Sequence, residues 1–152
     1  MVVGLAIVSL IIVSIAMSFH QIFAINNQSV SDMTVIKQLE NAIHSLNRDA
    51  QMAQVVQTNG ASGYPLVLRW TGWSNNVNQV TYSLVGNQLQ RALSINGGPA
   101  TQTTVADYIN TNSSLTYCHY TGGILSFKMS ATLNDLSTVT EARVFRVTPR
   151  AS

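Results

Sequence analysis

Charged side chains, cysteine and proline are all scarce in this sequence. Only 9% of its 152 residues are charged, and eight Lys and Arg stand against six Asp and Glu, for a formal net charge of +2. This balance is too weakly basic for a dedicated nucleic-acid binder. The single cysteine, Cys118, excludes an internal disulfide, so a hydrophobic core must hold the fold together. The length indicates one domain with one modest core.

Motifs of catalysis and of metal binding are also missing from the sequence. It has no Gly-x-Ser-x-Gly, no His-Glu-x-x-His and no glycine loop that would cradle a phosphate. Cys118 and His119 are adjacent, but neighbours in a strand point to opposite faces and cannot act together as nucleophile and base. No set of side chains has the spacing of zinc ligands. We therefore predict no enzymatic activity, no catalytic or metal-binding residues and no cofactor.

A long hydrophobic run opens the chain. The sequence MVVGLAIVSLIIVSIAMSF, residues 1–19, has no charge and no proline, and the first charged residue is Asp32. A helix of about 20 to 25 residues is about 30 to 37 Å long, which matches the ~30 Å core of a bilayer. A cleaved signal would carry Lys or Arg before a shorter run and would end in small residues. We therefore predict a membrane span.

The segment that follows has a helical period, with apolar residues at steps of three and four. Asn59-Gly60 supplies a stop signal. We predict one long helix over residues 2–57. Its first half, residues 1–25, is hydrophobic all round, and its second half, residues 26–59, is amphipathic. The apolar face of the second half, which we expect to pack against a sheet, consists of Leu39, Ile43, Leu46, Ala50 and Ala53.

Beyond the helix, in residues 60–152, the period changes to an alternation of apolar and polar residues. The clearest case is VTYSLVGNQLQR, where Gly86-Asn87 forms a two-residue turn with Gly first, which favours a type II′ hairpin. Such a turn fixes the register of the two strands. The predicted pairs across the hairpin are Leu84 with Leu89, Tyr82 with Arg91, and Val80 with Leu93.

Further strands are predicted from the same alternation, and loops are predicted from Gly, Pro and Asn content. Segments 71–78 and 96–103 have loop composition, and residues 104–110 fit a short helical turn or an irregular crossing. We predict an α+β fold in which an antiparallel sheet packs on the amphipathic half of the long N-terminal helix. The further strands are expected at residues 66–70, 115–120, 125–133 and 142–147.

The densest aromatic group surrounds one arginine and consists of Tyr64, Trp70 and Trp73 beside Arg69. One interpretation is a binding patch for a sugar, a peptide or single-stranded DNA, because aromatic rings stack on such ligands. The other is that one tryptophan belongs to the core and the other covers the end of the helix. A mild excess of basic residues beyond residue 60 gives only weak support for nucleic acid as a partner, because a scattered, solvated surface explains it better.

Four segments of the sequence resemble the type IV pilin and pseudopilin superfamily. Residues 1–19 resemble the run that follows Gly-Phe-Thr-Leu-Ile-Glu in prepilins, and LNRDAQMAQ at residues 46–54 is similar to L-x-x-D-x-x-x-A in minor pseudopilins. VTYSLVGNQLQR at residues 80–91 is similar to their Y-x-L-x-G-x-x-L-x-R hairpin, and VFRVTPR at residues 144–150 to their closing strand. The order of these segments is most similar to J-type pseudopilins and W-type minor pilins.

The resemblance implies a pilin-like fold and a structural minor subunit that initiates or caps a type IV pilus or a type II secretion pseudopilus. It implies other pilin or pseudopilin subunits as partners, and a single pass through the inner membrane with an extracytoplasmic head before the subunit enters the filament. The residues of the assembly helix would be Val2, Val3, Leu5, Ile7, Val8, Leu10, Ile11, Ile12, Ile15 and Phe19.

The processing motif of prepilins is not in the sequence. It would lie just before Met1, so we expect that the chain as given begins at an internal methionine, and that a prepilin peptidase is a partner if an upstream leader exists. The alternative function is a membrane-anchored extracytoplasmic binding module that does not polymerise. An in-frame Gly-Phe-Thr-Leu-Ile-Glu upstream of Met1 would favour the filament subunit.

Overall fold

The computed structural model of the protein describes Met17, Val30 and residues 32–134 and 138–150. Helix α1 covers residues 32–52, and strands make up most of the remainder of the described chain. The strands are β1 (Val55–Gln57), β2 (Leu66–Thr71), β3 (Val77–Val85), β4 (Gln88–Ile95), β5 (Thr101–Ala106), β6 (Tyr117–Thr121), β7 (Ile124–Asn134) and β8 (Thr138–Val147).

These strands form two antiparallel sheets. The first has five strands in the order β1-β2-β3-β4-β5, and the second has three in the order β6-β7-β8. In both sheets each strand pairs with its neighbour in sequence, so each sheet is a meander. Pairing of sequence neighbours needs only short connections, and turns that contain Gly or Asn provide them at residues 72–76, 86–87, 96–100 and 122–123.

The β3-β4 hairpin has the register that its turn predicts. Gly86 has a φ of 59°, as the first position of a primed two-residue turn requires. Val85 pairs with Gln88 directly across this turn. The prediction of the register is therefore confirmed, and the predicted pairs are observed as Leu84 with Leu89, Tyr82 with Arg91, and Val80 with Leu93.

One hydrophobic core joins α1 to both sheets. Its largest fully buried side chains include Leu39 and Leu46 from α1, Leu68 and Tyr82 from the first sheet, and Phe127 from the second. Side chains three and four residues apart lie on one side of a helix, and the apolar side of α1 that this spacing forms is buried. The buried members of this face are Val35, Leu39, Ala42, Ile43, Leu46 and Ala50, and the buried Ala53 follows directly after the end of the helix.

The predicted fold class is wrong. The described helix is short and ends at residue 52, and the described chain is mostly β, in two sheets rather than one. After α1 the backbone turns away, since the amide of Gln54 donates to the carbonyl of Arg69 at 2.8 Å. Val55 and Val56 then pair with β2 as strand β1, although Val56 also fits the helical period of the sequence. Branched side chains such as valine favour the extended backbone, and pairing with β2 makes this segment a strand rather than a continuation of the helix.

Strand β5 also differs from the prediction of a loop and a helical turn. Its residues Thr101–Thr104 are exposed and polar, so the segment shows no alternation of apolar and polar side chains. It is nonetheless rich in threonine, which favours strands, and it pairs with β4 at the edge of the first sheet.

The expected location, a single pass through the inner membrane, is contradicted together with the description of the chain as a transmembrane pilin. Within the described residues no helix has both the length and the hydrophobicity needed to cross a bilayer. The predicted assembly helix over Val2–Phe19 lies outside the described residues, apart from Met17.

A close contact between Gly63 and Cys118 joins the two sheets. The amide of Cys118 in β6 donates to the carbonyl of Ser62 at 2.8 Å, and its thiol donates to the carbonyl of Gly63 at 3.1 Å. A Cβ atom at position 63 would lie 1.9 Å from the carbonyl oxygen of Cys118, and the φ of Gly63 is +79°. Glycine is therefore required at this position for space as well as for conformation.

We expect Gly63→Ala to lower the free energy of unfolding by more than Gly122→Ala. Both glycines have a positive φ, but nothing lies within 4 Å of a Cβ added at Gly122. The control therefore carries only the conformational cost of about 1 to 2 kcal/mol. Collision with β6 should add about 1 to 3 kcal/mol at position 63. Urea unfolding measures both variants, and equal losses would contradict the close contact.

Candidate functional site

A buried carboxylate connects α1 to the β3-β4 hairpin. The Oδ2 atom of Asp49 accepts hydrogen bonds from the hydroxyl of Tyr82 at 2.7 Å and from Nε of Arg91 at 2.6 Å. Its Oδ1 atom accepts from Nε of Arg48 at 3.3 Å. Asp49 itself is 0% exposed. We call Asp49, Tyr82 and Arg91 the Asp49 clasp.

The fold places these three side chains together through two simple periodicities. Tyr82 and Arg91 are direct partners across the hairpin, so their side chains lie on the same face of the sheet. Asp49 follows Leu46 by three residues and Ala42 by seven, so it lies within the apolar face of α1. The helix packs this face onto the sheet, and the carboxylate therefore meets the tyrosine and the arginine.

The charges of the clasp compensate one another. Burial raises the pKa of Tyr82 well above its usual range, and the negative charge of Asp49 raises it further. Burial lowers the pKa of Arg91, but its hydrogen bond and charge interaction with Asp49 outweigh burial and raise the pKa overall. Tyr82 thus remains a neutral donor and Arg91 a cation. Because both oxygens of Asp49 accept hydrogen bonds within the protein, the carboxylate serves the fold and is not presented to a substrate.

A polar recess lies beside the clasp, between α1 and the edge strand β5. Arg48 and Arg91 both reach it, and their side chains are 56% and 17% exposed. Its cavity volume is about 340 Å³. We call it the α1-β5 recess. The residues that line it are Asn41, His44, Ser45, Arg48, Arg91, Thr103, Thr104 and Val105.

The structure does not bring the predicted aromatic patch together. Tyr64 is buried in the core, and Trp70 is partly buried against the core. Arg69 and Trp73 are exposed, Arg69 on β2 and Trp73 in the turn after it. Trp70 therefore has the core role of the second interpretation, whereas Trp73 covers no part of the core.

Cys118 and His119 lie on opposite sides of β6, as the alternation of a strand predicts. Cys118 is fully buried, whereas His119 is exposed and has its ring 5.2 Å from that of Tyr117. Burial raises the pKa of the Cys118 thiol to about 12, so the thiol stays protonated at neutral pH. Among the described residues, no group of three or more His, Cys, Asp or Glu side chains is arranged to hold a metal ion.

No protein-family model, curated protein or solved structure matches this chain. The resemblance to pilins and pseudopilins therefore stays a prediction from the quoted segments. Two of those segments supply the clasp, because Asp49 is the acidic residue of LNRDAQMAQ and Tyr82 and Arg91 belong to VTYSLVGNQLQR. The predicted hairpin register pairs Tyr82 with Arg91 but does not include their contact with Asp49. The available signal was a lone carboxylate within an apolar helical face, which requires a buried partner.

We expect Asp49→Asn to lower the free energy of unfolding by about 3 kcal/mol or more, because it leaves the partly buried charge of Arg91 without its counter-ion. The control is Arg48→Gln, which removes the longer, 3.3 Å contact of a largely exposed arginine with the same carboxylate and should cost less than about 1 kcal/mol. Urea unfolding at neutral pH measures both. Equal effects of the two substitutions would contradict a central role for the clasp.

We expect the free energy of unfolding to fall as the pH rises above about 9. The thiol of Cys118 has a pKa of about 12 in the folded protein against an ordinary value of 9.0, so the unfolded chain releases this proton first. The stabilisation is complete below pH 9 and is lost between pH 9 and 12. Chemical unfolding of the wild type and of Cys118→Ala from pH 8 to 10 measures it. A decline of the same slope in both proteins would contradict the assignment.

Proposed function

We propose that this chain is a structural minor subunit of a type IV-like filament, a type IV pilus or a type II secretion pseudopilus, and that it initiates or caps the filament. The Asp49 clasp supports this proposal best. Tyr82 and Arg91 follow Asp49 by 33 and 42 positions in the chain, yet all three residues come from the two segments that resemble minor pseudopilins. Segments that resemble a family only by chance have no reason to share one buried contact.

The clasp suits a subunit that must transmit force. In an assembly, load enters through the contacts between subunits and must pass from the N-terminal segment into the sheets. The apolar face of α1 resists this load through the core, and the bonds of Asp49 to Tyr82 and Arg91 tie the helix to the hairpin at one point. Hydrogen bonds between charged groups are directional, so they oppose sliding of the helix as well as separation.

The hydrophobic residues between Val2 and Phe19 supply the contacts with other subunits in this proposal. This stretch of the sequence has no charged residue, and so long an apolar run favours apolar neighbours over water. A binding module that does not polymerise is the second candidate function, and the α1-β5 recess favours it.

Recovery of the chain in filaments separates the two functions. We expect wild-type protein in the filament fraction sheared from cells that assemble it, and we expect Ile11→Asp to be missing from that fraction, because a buried charge would be left among apolar neighbours. The matched control is Val85→Asp, the same chemical change at a side chain that is 50% exposed at the end of β3.

Immunodetection of the filament fraction gives the result, and protease resistance shows that each head is folded. If Ile11→Asp enters filaments at the wild-type level, the role of the N-terminal residues is wrong. If the wild type is absent from filaments that form in its presence, the chain is not a filament subunit and the binding module replaces it.

A further inference from the structure

The α1-β5 recess carries a net positive charge. Asp49 neutralises one of the two guanidinium groups that reach it, and the other remains. Among the described residues, Asp49 is the only carboxylate that forms an ion pair with either arginine. The remaining lining side chains are one amide, three hydroxyls, one histidine and one valine. The two arginines and Asp49 together give the recess an excess of one positive charge, and the other polar lining groups can form hydrogen bonds.

The arginines keep donors for a ligand. Both bind Asp49 through Nε, and none of the hydrogen bonds within the described residues uses their terminal Nη atoms. Asp49 therefore binds each guanidinium at Nε, and the Nη donors of both arginines, which line the recess, remain available to a ligand. A guanidinium fork matches the two oxygens of a carboxylate. A single extra positive charge suits a monoanion better than a phosphate, which carries nearly two negative charges at neutral pH.

The recess opens along a sheet edge. In the described chain β5 is the last strand of the first sheet, and its residues Thr101–Thr104 are exposed. Thr103 pairs with Arg91, so both side chains lie on the same face of the sheet. An extended peptide that pairs with an edge strand places alternate side chains on that face. A carboxylate side chain opposite Thr103 would then point to the arginines.

We propose that the α1-β5 recess binds an acidic peptide segment of a partner protein, extended along β5, with a Glu or Asp carboxylate between Arg48 and Arg91. The charge of the recess complements that of the segment, and the open edge of β5 holds its backbone. This site does not depend on assembly into a filament, because all of its residues belong to one chain and lie in the described part of it.

A pair of blocked pentapeptides tests the proposal on the full chain. The first is Thr-Val-Glu-Val-Thr and the second has Gln in place of Glu, so the two differ in one charge and little in shape. Titration followed by backbone amide shifts in NMR gives the affinity and the site together. We expect the Glu peptide to bind at least about tenfold more tightly than the Gln peptide, the effect of one charged hydrogen-bonded pair. The shifts should lie in α1 and β5.

Two arginine variants identify the charge that is recognised. Arg48→Gln should remove the preference for the Glu peptide without unfolding the protein, because its side chain is largely exposed. Arg69→Gln is the matched control, since Arg69 is exposed on β2 of the same sheet but does not line the recess. It should preserve the preference.

Three results would overturn the proposal. Equal affinity for the two peptides would show that no carboxylate is recognised, and an unchanged preference in Arg48→Gln would show that the carboxylate binds elsewhere. Inorganic phosphate is the third probe. If it shifts the same amides at lower concentration than the Glu peptide, the recess is a phosphate site rather than a site for an acidic segment.

Discussion

Removal of the Asp49 charge from water is the constraint on which much of this fold depends. A fully buried carboxylate is costly unless it is paired and hydrogen-bonded, and the partners must come from another part of the chain. Tyr82 and Arg91 meet this need only when the β3-β4 hairpin has its observed register and α1 lies across it in one position. A shift of one residue in either element would separate the charges. The apolar core makes the packing favourable, and the clasp makes it specific.

The parts of the fold that depend on local patterns could be predicted from the sequence. The turn at Gly86-Asn87 and the alternation around it determine the register of the hairpin, and the helical period identifies the face of α1 that enters the core. The strands predicted at residues 66–70, 115–120, 125–133 and 142–147 correspond to β2, β6, β7 and β8, with ends that differ by at most four residues. Strands β1 and β5 could not be predicted. Strand β1 forms because it pairs with β2, for example Val55 with Arg69, and β5 forms because it pairs with β4, for example Thr103 with Arg91. These two strands depend on their partner strands, and their own sequences show no alternation of apolar and polar residues.

The candidate site was harder to predict than the fold. The aromatic residues around Arg69 are neighbours in sequence, but the alternation of β2 and the turn after it send them to the core and to solvent. The clasp and the recess, by contrast, join residues from α1, β3, β4 and β5. The sequence contains the motif residues, but it does not show that they contact one another, because this contact depends on how the helix crosses the sheet.

The contact of Cys118 with Gly63 has a further consequence. The thiol lies at the junction of the two sheets and touches backbone from the other side of that junction, without open space between them. A reagent therefore has no route to the sulfur while the sheets remain together. The rate at which a thiol reagent labels Cys118 in the native protein should therefore measure how often the two sheets separate.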